Sequence, residues 1–198
     1  YEKLAAKEGI AALACMAHAR RKFEQARDND RARAEYALQK FGELYAIERR
    51  CDERDDPPDK RHQHRQNEAV PILQELEHWI KEQINLVPPK GPMGKALAYS
   101  LSLWPRLCAY VQDGRYLIDN NRIENTIRPL AIGRKNYLFA GSDRGARHAA
   151  LMYSLLGTCK LNGVEPFAYL SDVIARISEH RANRLGELLP QNWRPLSK

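Results

Sequence analysis

The spacing of apolar residues along the chain predicts a protein built almost entirely of helices. From residue 19 to about residue 50, apolar side chains recur every three or four positions, with no proline and one glycine, which predicts one or two long helices. Similar stripes predict helices over about 72–84, 97–111, 147–162 and 166–179, and a run of helix formers predicts another over 2–8. Pro105 is expected to bend its helix, whereas Pro166 suits a first helical position.

Two short segments do not follow this pattern. Residues 10–17 form a compact apolar run after Gly9, which we interpret as a buried strand even though its alanines favour a helix. Residues 116–121 look extended and precede a helix-capable stretch, with Asn120 or Asn121 available as its N-cap. The prediction is therefore a mainly α fold with at most one or two short strands.

Composition adds a bias toward polyanions. The 198 residues include 32 Lys and Arg against 25 Asp and Glu, a net charge of +7, so the surface field favours nucleic acid as a partner. No apolar run approaches the roughly 20 residues that cross a bilayer, and the N-terminus has no signal-peptide pattern, so we expect no membrane association and a cytoplasmic protein. The four widely spaced cysteines indicate reduced thiols rather than a disulfide scaffold or zinc ribbon.

Basic residues concentrate between Arg115 and Arg147, with seven Lys and Arg against three acids, in a segment that contains a polar run around Glu124. If this run is helical, Ile123 and Ile127 anchor one face, and Glu124 lies one turn after Asn120 or Asn121 and one turn before Arg128. Two interpretations remain open from the spacing. The run is either a functional carboxylate held among amides and a guanidinium, or a solvated face with an ion pair that contributes a few tenths of a kcal/mol.

The flanking segment favours a functional interpretation, because Arg134 and Lys135 stand beside aromatic and glycine residues, which suits phosphate contacts with base stacking. The run Asp119-Asn120-Asn121-x-x-Glu124-Asn125-x-Ile127-Arg128-Pro129, followed by Gly133-Arg134-Lys135-Asn136-x-Leu138-Phe139-x-Gly141-Ser142, resembles the insertion sequence 66 family of bacterial transposases. The resemblance continues through Tyr153-Ser154-Leu155 to Asn192-Trp193 and covers almost the whole chain.

This resemblance implies a ribonuclease H-like α/β core with two aspartates and a glutamate, and an all-helical insertion before the glutamate. It divides the chain into the end of the core (1–18), the insertion (19–114), the C-terminal part of the core (115–180) and a tail (181–198). Glu124 falls where the family has its catalytic, metal-binding glutamate. The family's chemistry uses a pair of Mg²⁺ (or Mn²⁺) ions, which two or three carboxylates must hold.

The resemblance also places both aspartates before Tyr1, and no aspartate precedes Asp28. We therefore expect this chain to be a C-terminal fragment of a DDE-type transposase, inactive by itself in DNA cleavage and strand transfer. The implied partners of the intact protein are transposon-end and target DNA and further copies of itself, on the bacterial nucleoid.

Several side chains are candidates for DNA contacts: Asn121, Arg122, Arg128, Arg134 and Lys135 around the glutamate, and Arg20 and Arg21 near the N-terminus. The last two are either a DNA-facing patch or a solvated helix start.

The pair Cys15 and His18 is half of a zinc site, which His62 and His64 are able to complete in principle. The alternative is a buried cysteine on a strand and a hydrogen-bonded histidine at its end.

Two other classes of function compete with the enzyme. The chain is alternatively a DNA-binding or protein-interaction remnant of a transposase gene, without chemistry, or a helical scaffold with a basic surface. DNA affinity that falls steeply with salt distinguishes a DNA-binding remnant from a scaffold, because phosphate contacts release counterions.

Overall fold

The computed structural model describes residues 10–136 and 139–195, and all its regular elements are helical. Within these residues no strand occurs, so the predicted mainly α fold is confirmed. The helix expected over 2–8 lies outside the described residues. The α-helices are α1 (Met16–Gln25), α2 (Arg31–Glu53), α3 (Pro58–His64), α4 (Val70–Gln83), α5 (Pro92–Ser102), α6 (Trp104–Cys108), α7 (Asn121–Gly133), α8 (Asp143–Leu161) and α9 (Pro166–Arg176).

The chain forms two compact units, Tyr1–Arg122 and Ile123–Lys198. The boundary falls near the start of α7, so this helix begins in the first unit and continues in the second. The four segments expected from the sequence stay a prediction. None of the described helices combines the length and the apolar character that crossing a bilayer requires.

The first unit is organised around a hairpin of two helices, α1 and α2. Asp30 caps α2, because its carboxylate accepts a hydrogen bond from the Arg33 N–H at 3.2 Å. Inside the hairpin the rings of Phe23 and Phe41 lie 5.7 Å apart, and Trp79 of α4 packs 6.5 Å from Phe23. Both helices therefore bury one face against the rest of the unit and expose the other.

A fully buried arginine, Arg65, connects several segments of the first unit through hydrogen bonds. Arg65 lies in a π-helical turn, Arg65–Ala69, between α3 and α4. Its guanidinium donates to both carboxylate oxygens of Glu48, at 2.8 and 2.7 Å, and to the carbonyls of Tyr110, Asp113 and Tyr116 at 2.7–2.9 Å. All five donors are used, so this side chain fixes the segment 110–116 that leads to α7.

The strand expected over residues 10–17 is wrong. Residues 10–15 have no regular structure, and α1 begins at Met16 with Cys15 as its N-cap residue. The Ala14 N–H donates to the Arg106 carbonyl and the Met16 N–H to the Ile118 carbonyl, at 3.0 and 3.1 Å. Because these partners lie in a helix and a loop rather than in a strand, no ladder forms, and of the alanines in this run only Ala17 lies in a helix.

The position of Pro105 explains why the helix predicted over residues 97–111 is interrupted. The single bent helix expected over 97–111 is instead split at Leu103 into α5, α6 and a 3-10 turn, Ala109–Gln112. Pro105 stands in the first turn of α6, where its missing N–H costs nothing. The segment 116–121 forms no strand either, and the Tyr116 N–H closes a turn on the Asp113 carbonyl at 3.1 Å.

The second unit contains α7, α8 and α9 and a small core of Cys159, Tyr169 and Trp193. The segment expected as a tail packs here, because the Tyr169 hydroxyl donates to the Leu188 carbonyl and the Trp193 indole N–H to Asp172, at 2.8 and 2.6 Å. Several large apolar side chains of this unit stay exposed, among them Phe139, Leu161, Phe167 and Ile174. The expected first position of Pro166 and the stop at Gly163, with φ of +66°, are confirmed.

Candidate nucleic-acid interface

The exposed faces of α1 and α2 form the walls of a groove of about 660 Å³ in the first unit. Arg20 and Arg21 line it from α1, and Gly42, Tyr45 and Arg49 line it from α2. Asn121, at the start of α7, also lies against this groove. The structure thus brings together three of the predicted DNA-contacting residues, Arg20, Arg21 and Asn121. Asn121 is about a hundred positions from the two arginines in the sequence.

A second groove, of about 520 Å³, shares Tyr45 and Arg49 with the first and includes Asp119 and Arg122. The Tyr45 hydroxyl donates to Asp119 at 2.9 Å. Burial, reinforced by this carboxylate, raises the pKa of Tyr45, so its hydroxyl keeps its proton and remains a donor. Arg122 is therefore close to the first groove but belongs to the neighbouring one.

Asp119 lies two residues before the first residue of α7, Asn121. Its carboxylate accepts hydrogen bonds from the N–H of Asn121 at 3.0 Å and from the Asn121 side-chain amide at 2.7 Å. Asn120 directly precedes the first residue of α7, and the expectation that Asn120 or Asn121 serves as the N-cap stays a prediction. A carboxylate also interacts favourably with the positive end of the helix dipole.

The groove between α1 and α2 has an excess of positive charge, because three arginines and one acid, Glu24, line it. Arg20 lies 3.7 Å from Glu24, but Arg21 and Arg49 form no ion pair or hydrogen bond with the residues that the structure describes. The nearby acids are already engaged: Arg61 contacts both Glu48 and Asp52, at 3.2 and 2.6 Å, and Arg65 contacts Glu48. Two exposed guanidinium groups therefore have their donors available for a phosphate.

In the second unit, Glu124 and Arg128 lie one turn apart on α7. Glu124 is partly buried, whereas Ile123 and Ile127 are 59% and 52% exposed. The expectation that the two isoleucines anchor a buried face is wrong. A partly buried acid among exposed isoleucines is the reverse of the ordinary arrangement of a helix packed on a core.

Arg134 and Lys135 follow in the turn that ends α7, and both are exposed. Arg134 lines an open groove of about 930 Å³ whose other walls are mostly apolar, with Ile127, Phe139 and Lys160 among them. Phe139 is 79% exposed, which suits stacking on a base. Tyr137 and Leu138 of the same motif lie outside the described residues.

The histidines do not complete a zinc site with Cys15 and His18. The Cys15 thiol and a ring nitrogen of His18 lie within 4.8 Å, but among the described residues neither His62 nor His64 belongs to any cluster of three possible ligands. His62 instead contacts the Val111 carbonyl at 3.1 Å, and His64 contacts Glu68 at 3.0 Å. All four cysteines are free thiols, as expected.

The described residues supply only part of a magnesium site. The Glu124 carboxylate is a hard oxygen donor of the type that Mg²⁺ prefers. A pair of ions requires more carboxylates, and within residues 10–136 and 139–195 no three carboxylates cluster. Glu124 therefore fits one ligand position, and the part of the chain that the structure describes does not complete a two-metal site.

Sequence reasoning missed Arg49, Gly42, Asp119 and the hydroxyl of Tyr45 as parts of the interface. A signal was present, because Gly42, Tyr45 and Arg49 are spaced three and four residues apart and share one helix face, beside the face of the buried Phe41 and Leu44.

Comparison with known proteins identifies the family. The model of the family described as "Transposase IS66 family" matches residues 1–148, and that of the IS66 C-terminal element matches residues 154–191. The chain belongs to the IS66 transposase family. No solved structure matches it.

Two curated relatives from Sinorhizobium fredii cover nearly the whole chain. Uncharacterized protein y4hP is 35% identical over 92% of the chain, and uncharacterized protein y4qI is 36% identical over 98%. Uncharacterized protein YuaK of Escherichia coli is 47% identical over 25% of the chain. The chain spans about a third of the length of the two Sinorhizobium proteins, 35% and 36%.

Proposed function

We propose that this chain serves DNA transposition as the part of a DDE-type transposase that contributes Glu124. The intact enzyme cleaves a transposon end and joins it to target DNA, and Glu124 acts in it as one carboxylate ligand of the catalytic Mg²⁺ or Mn²⁺. The observation that carries the proposal is the partly buried Glu124 on α7, inside the segment that matches the family model. The remaining carboxylates have to come from residues other than those described.

The chain's own residues have a separate task in this proposal, which is to hold DNA. Arg128, Arg134 and Lys135 lie on α7 or directly after it and are exposed, so they suit contacts with phosphates near the scissile strand. Such work takes place on nucleoid DNA in the cytoplasm, in an assembly of several copies on paired DNA ends.

The test compares Glu124→Gln with the unchanged protein in a transposition assay. A donor plasmid with a resistance marker between the ends of the element that encodes this chain reports integration frequency. We expect a loss of about 100-fold or more, because a metal ligand supports several kcal/mol of transition-state stabilisation and each 1.4 kcal/mol is tenfold.

The matched control is Glu179→Gln, which removes the charge of an exposed glutamate in the same unit. It is expected to transpose like the unchanged protein. Normal transposition by Glu124→Gln contradicts the proposal.

A second candidate function is DNA binding without chemistry. The two available guanidinium groups of Arg21 and Arg49 favour it, because they lie in the first unit and need no contribution from Glu124. Under this alternative, Glu124→Gln and the unchanged chain bind duplex DNA equally and neither supports strand transfer.

A further inference from the structure

We propose that the groove between α1 and α2 binds the phosphodiester backbone of duplex DNA, with Arg49 and Arg21 as its phosphate ligands and Gly42 as the opening through which the backbone approaches. The inference rests on the proposed function only in taking DNA as the ligand. It concerns a surface of the first unit that the family's catalytic glutamate does not use.

The first argument comes from charge. Arg21 and Arg49 project from two different helices into one groove, and neither pairs with an acid in the described part of the chain. Several other exposed arginines of this unit have partners, since Arg27 and Arg31 both contact Glu35 and Arg50 pairs with Glu68. Arg54 and Arg106 have no acidic partner in the described part of the chain, but neither lines this groove. Two guanidinium groups that converge without a counter-ion favour a polyanion as the occupant.

The second argument comes from Gly42. A glycine inside a helix costs roughly 1 kcal/mol relative to alanine, so its presence within the 23-residue α2 calls for a reason. Packing does not supply that reason, because a Cβ at Gly42 meets no atom within 4 Å. Gly42 lines the same groove as Arg21 and Arg49, and its missing side chain leaves that part of the wall open to close approach of a ligand.

The third argument comes from the floor of the groove. Tyr45 is held in place by its hydrogen bond to Asp119, and Asp119 in turn orients Asn121, whose backbone and amide both donate to it. Asp119 itself does not line this groove, whose charged residues are Arg20, Arg21, Arg49 and Glu24. Three arginines against one glutamate leave the lining with a net charge of +2.

The test measures the affinity of the full chain for a short duplex DNA of mixed sequence, by fluorescence anisotropy, between about 50 and 200 mM salt. Each phosphate contact contributes about 0.9 to the slope of log affinity against log salt. The double variant Arg21→Gln/Arg49→Gln is expected to lower that slope by about 2. Arg54→Gln removes the same charge from an exposed arginine at the end of α2, outside the groove, and is expected to leave the slope unchanged.

A steric variant separates binding from folding. Gly42→Gln places a side chain in the groove at a position where nothing clashes, and glutamine is the better helix former, so the urea midpoint of the first unit is expected to rise. DNA affinity is expected to fall at least tenfold in the same variant. An unchanged slope in the double variant, or unchanged affinity in Gly42→Gln, overturns the inference, as does equal salt-dependent binding of poly-glutamate.

The result is independent of the test of Glu124. If the groove variants bind DNA normally while Glu124→Gln stops transposition, the groove proposal fails and the proposed function stands. If the groove variants lose DNA affinity while Glu124→Gln transposes normally, the groove proposal stands and the proposed function fails.

Discussion

At the scale of single residues, Arg65 has the largest predicted effect on stability. Replacing it by methionine leaves the Glu48 carboxylate buried without its main partner and three carbonyls without a donor. Breaking a buried pair in this way costs about 3–5 kcal/mol. Urea unfolding of Arg65→Met measures the loss.

The control is Arg50→Met, which breaks the exposed pair with Glu68 and is expected to cost under about 1 kcal/mol. Similar costs for the two variants contradict the assigned role of Arg65.

A second residue-scale prediction concerns pH. The Arg115 guanidinium and backbone N–H donate to Asp113 and lower the pKa of its carboxyl to about 2 from an ordinary value of 3.8. Because the folded-state pKa is the lower one, the stabilisation is present above about pH 4 and is lost as the pH falls toward 2. Asp113→Asn is therefore less stable than the unchanged protein near neutral pH and equal to it near pH 2.

The difference in urea midpoint across this range measures the effect, and it shrinks in high salt because the pair is exposed. Asp59→Asn, at an exposed carboxylate, serves as the control and shows no such trend. A pH-independent difference between Asp113→Asn and the unchanged protein counts against the pairing.

At the scale of elements, the glycine-rich segment before α8 is a helix start. Gly141 has a φ of +76°, and the Ser142 hydroxyl caps the helix by accepting the Gly145 N–H at 3.1 Å. A Cβ at Gly145 would lie 2.5 Å from the Ala140 carbonyl oxygen. Gly145→Ala is therefore expected to destabilise the second unit by about 1–3 kcal/mol.

Gly157→Ala is the matched substitution within α8. Its Cβ meets nothing within 4 Å, so it is expected to stabilise the helix by roughly 1 kcal/mol. Hydrogen exchange of the α8 amides reads out both variants. Equal protection in the two variants argues against the close approach at Gly145.

The sequence pattern was enough to predict that the long helices exist. It was not enough to predict where helices end near prolines, or which structure a short apolar run adopts. The stripes that became α2, α4, α8 and α9 have helical periodicity over many residues, which leaves little ambiguity. The strand over 10–17 failed because an alanine-rich apolar run suits either structure, and the choice depends on which backbone groups lie nearby. Here the neighbours were the Arg106 and Ile118 carbonyls.

The candidate site was predictable where a motif lies in one segment, as around Glu124, and not where distant segments meet. Arg49 and Tyr45 became part of an interface only because α2 packs along α1 and because the Arg65 clamp fixes the segment that leads to Asp119 and Asn121. Neither contact leaves a pattern in the local sequence.

At the scale of the whole molecule, the two units differ in the size of their cores. The core of the first unit draws on α1, α2, α4, α5 and α6, whereas that of the second consists of Cys159, Tyr169 and Trp193. Large apolar side chains such as Leu161 and Phe167 contribute no burial, at 80% and 78% exposed. Since stability scales with buried apolar area, the second unit is expected to open at a lower free energy.

Hydrogen exchange at increasing urea tests this difference within one chain. Amides of α8 and α9 are expected to lose protection at lower urea than those of α2, which is buried along one face by Ala37, Phe41 and Leu44. The variant Gly157→Ala serves as a comparison, because it is expected to stabilise α8 and raise the protection of its amides without changing that of α2. Simultaneous loss of protection in α2, α8 and α9 means that the two units unfold as one cooperative body, and it contradicts the prediction.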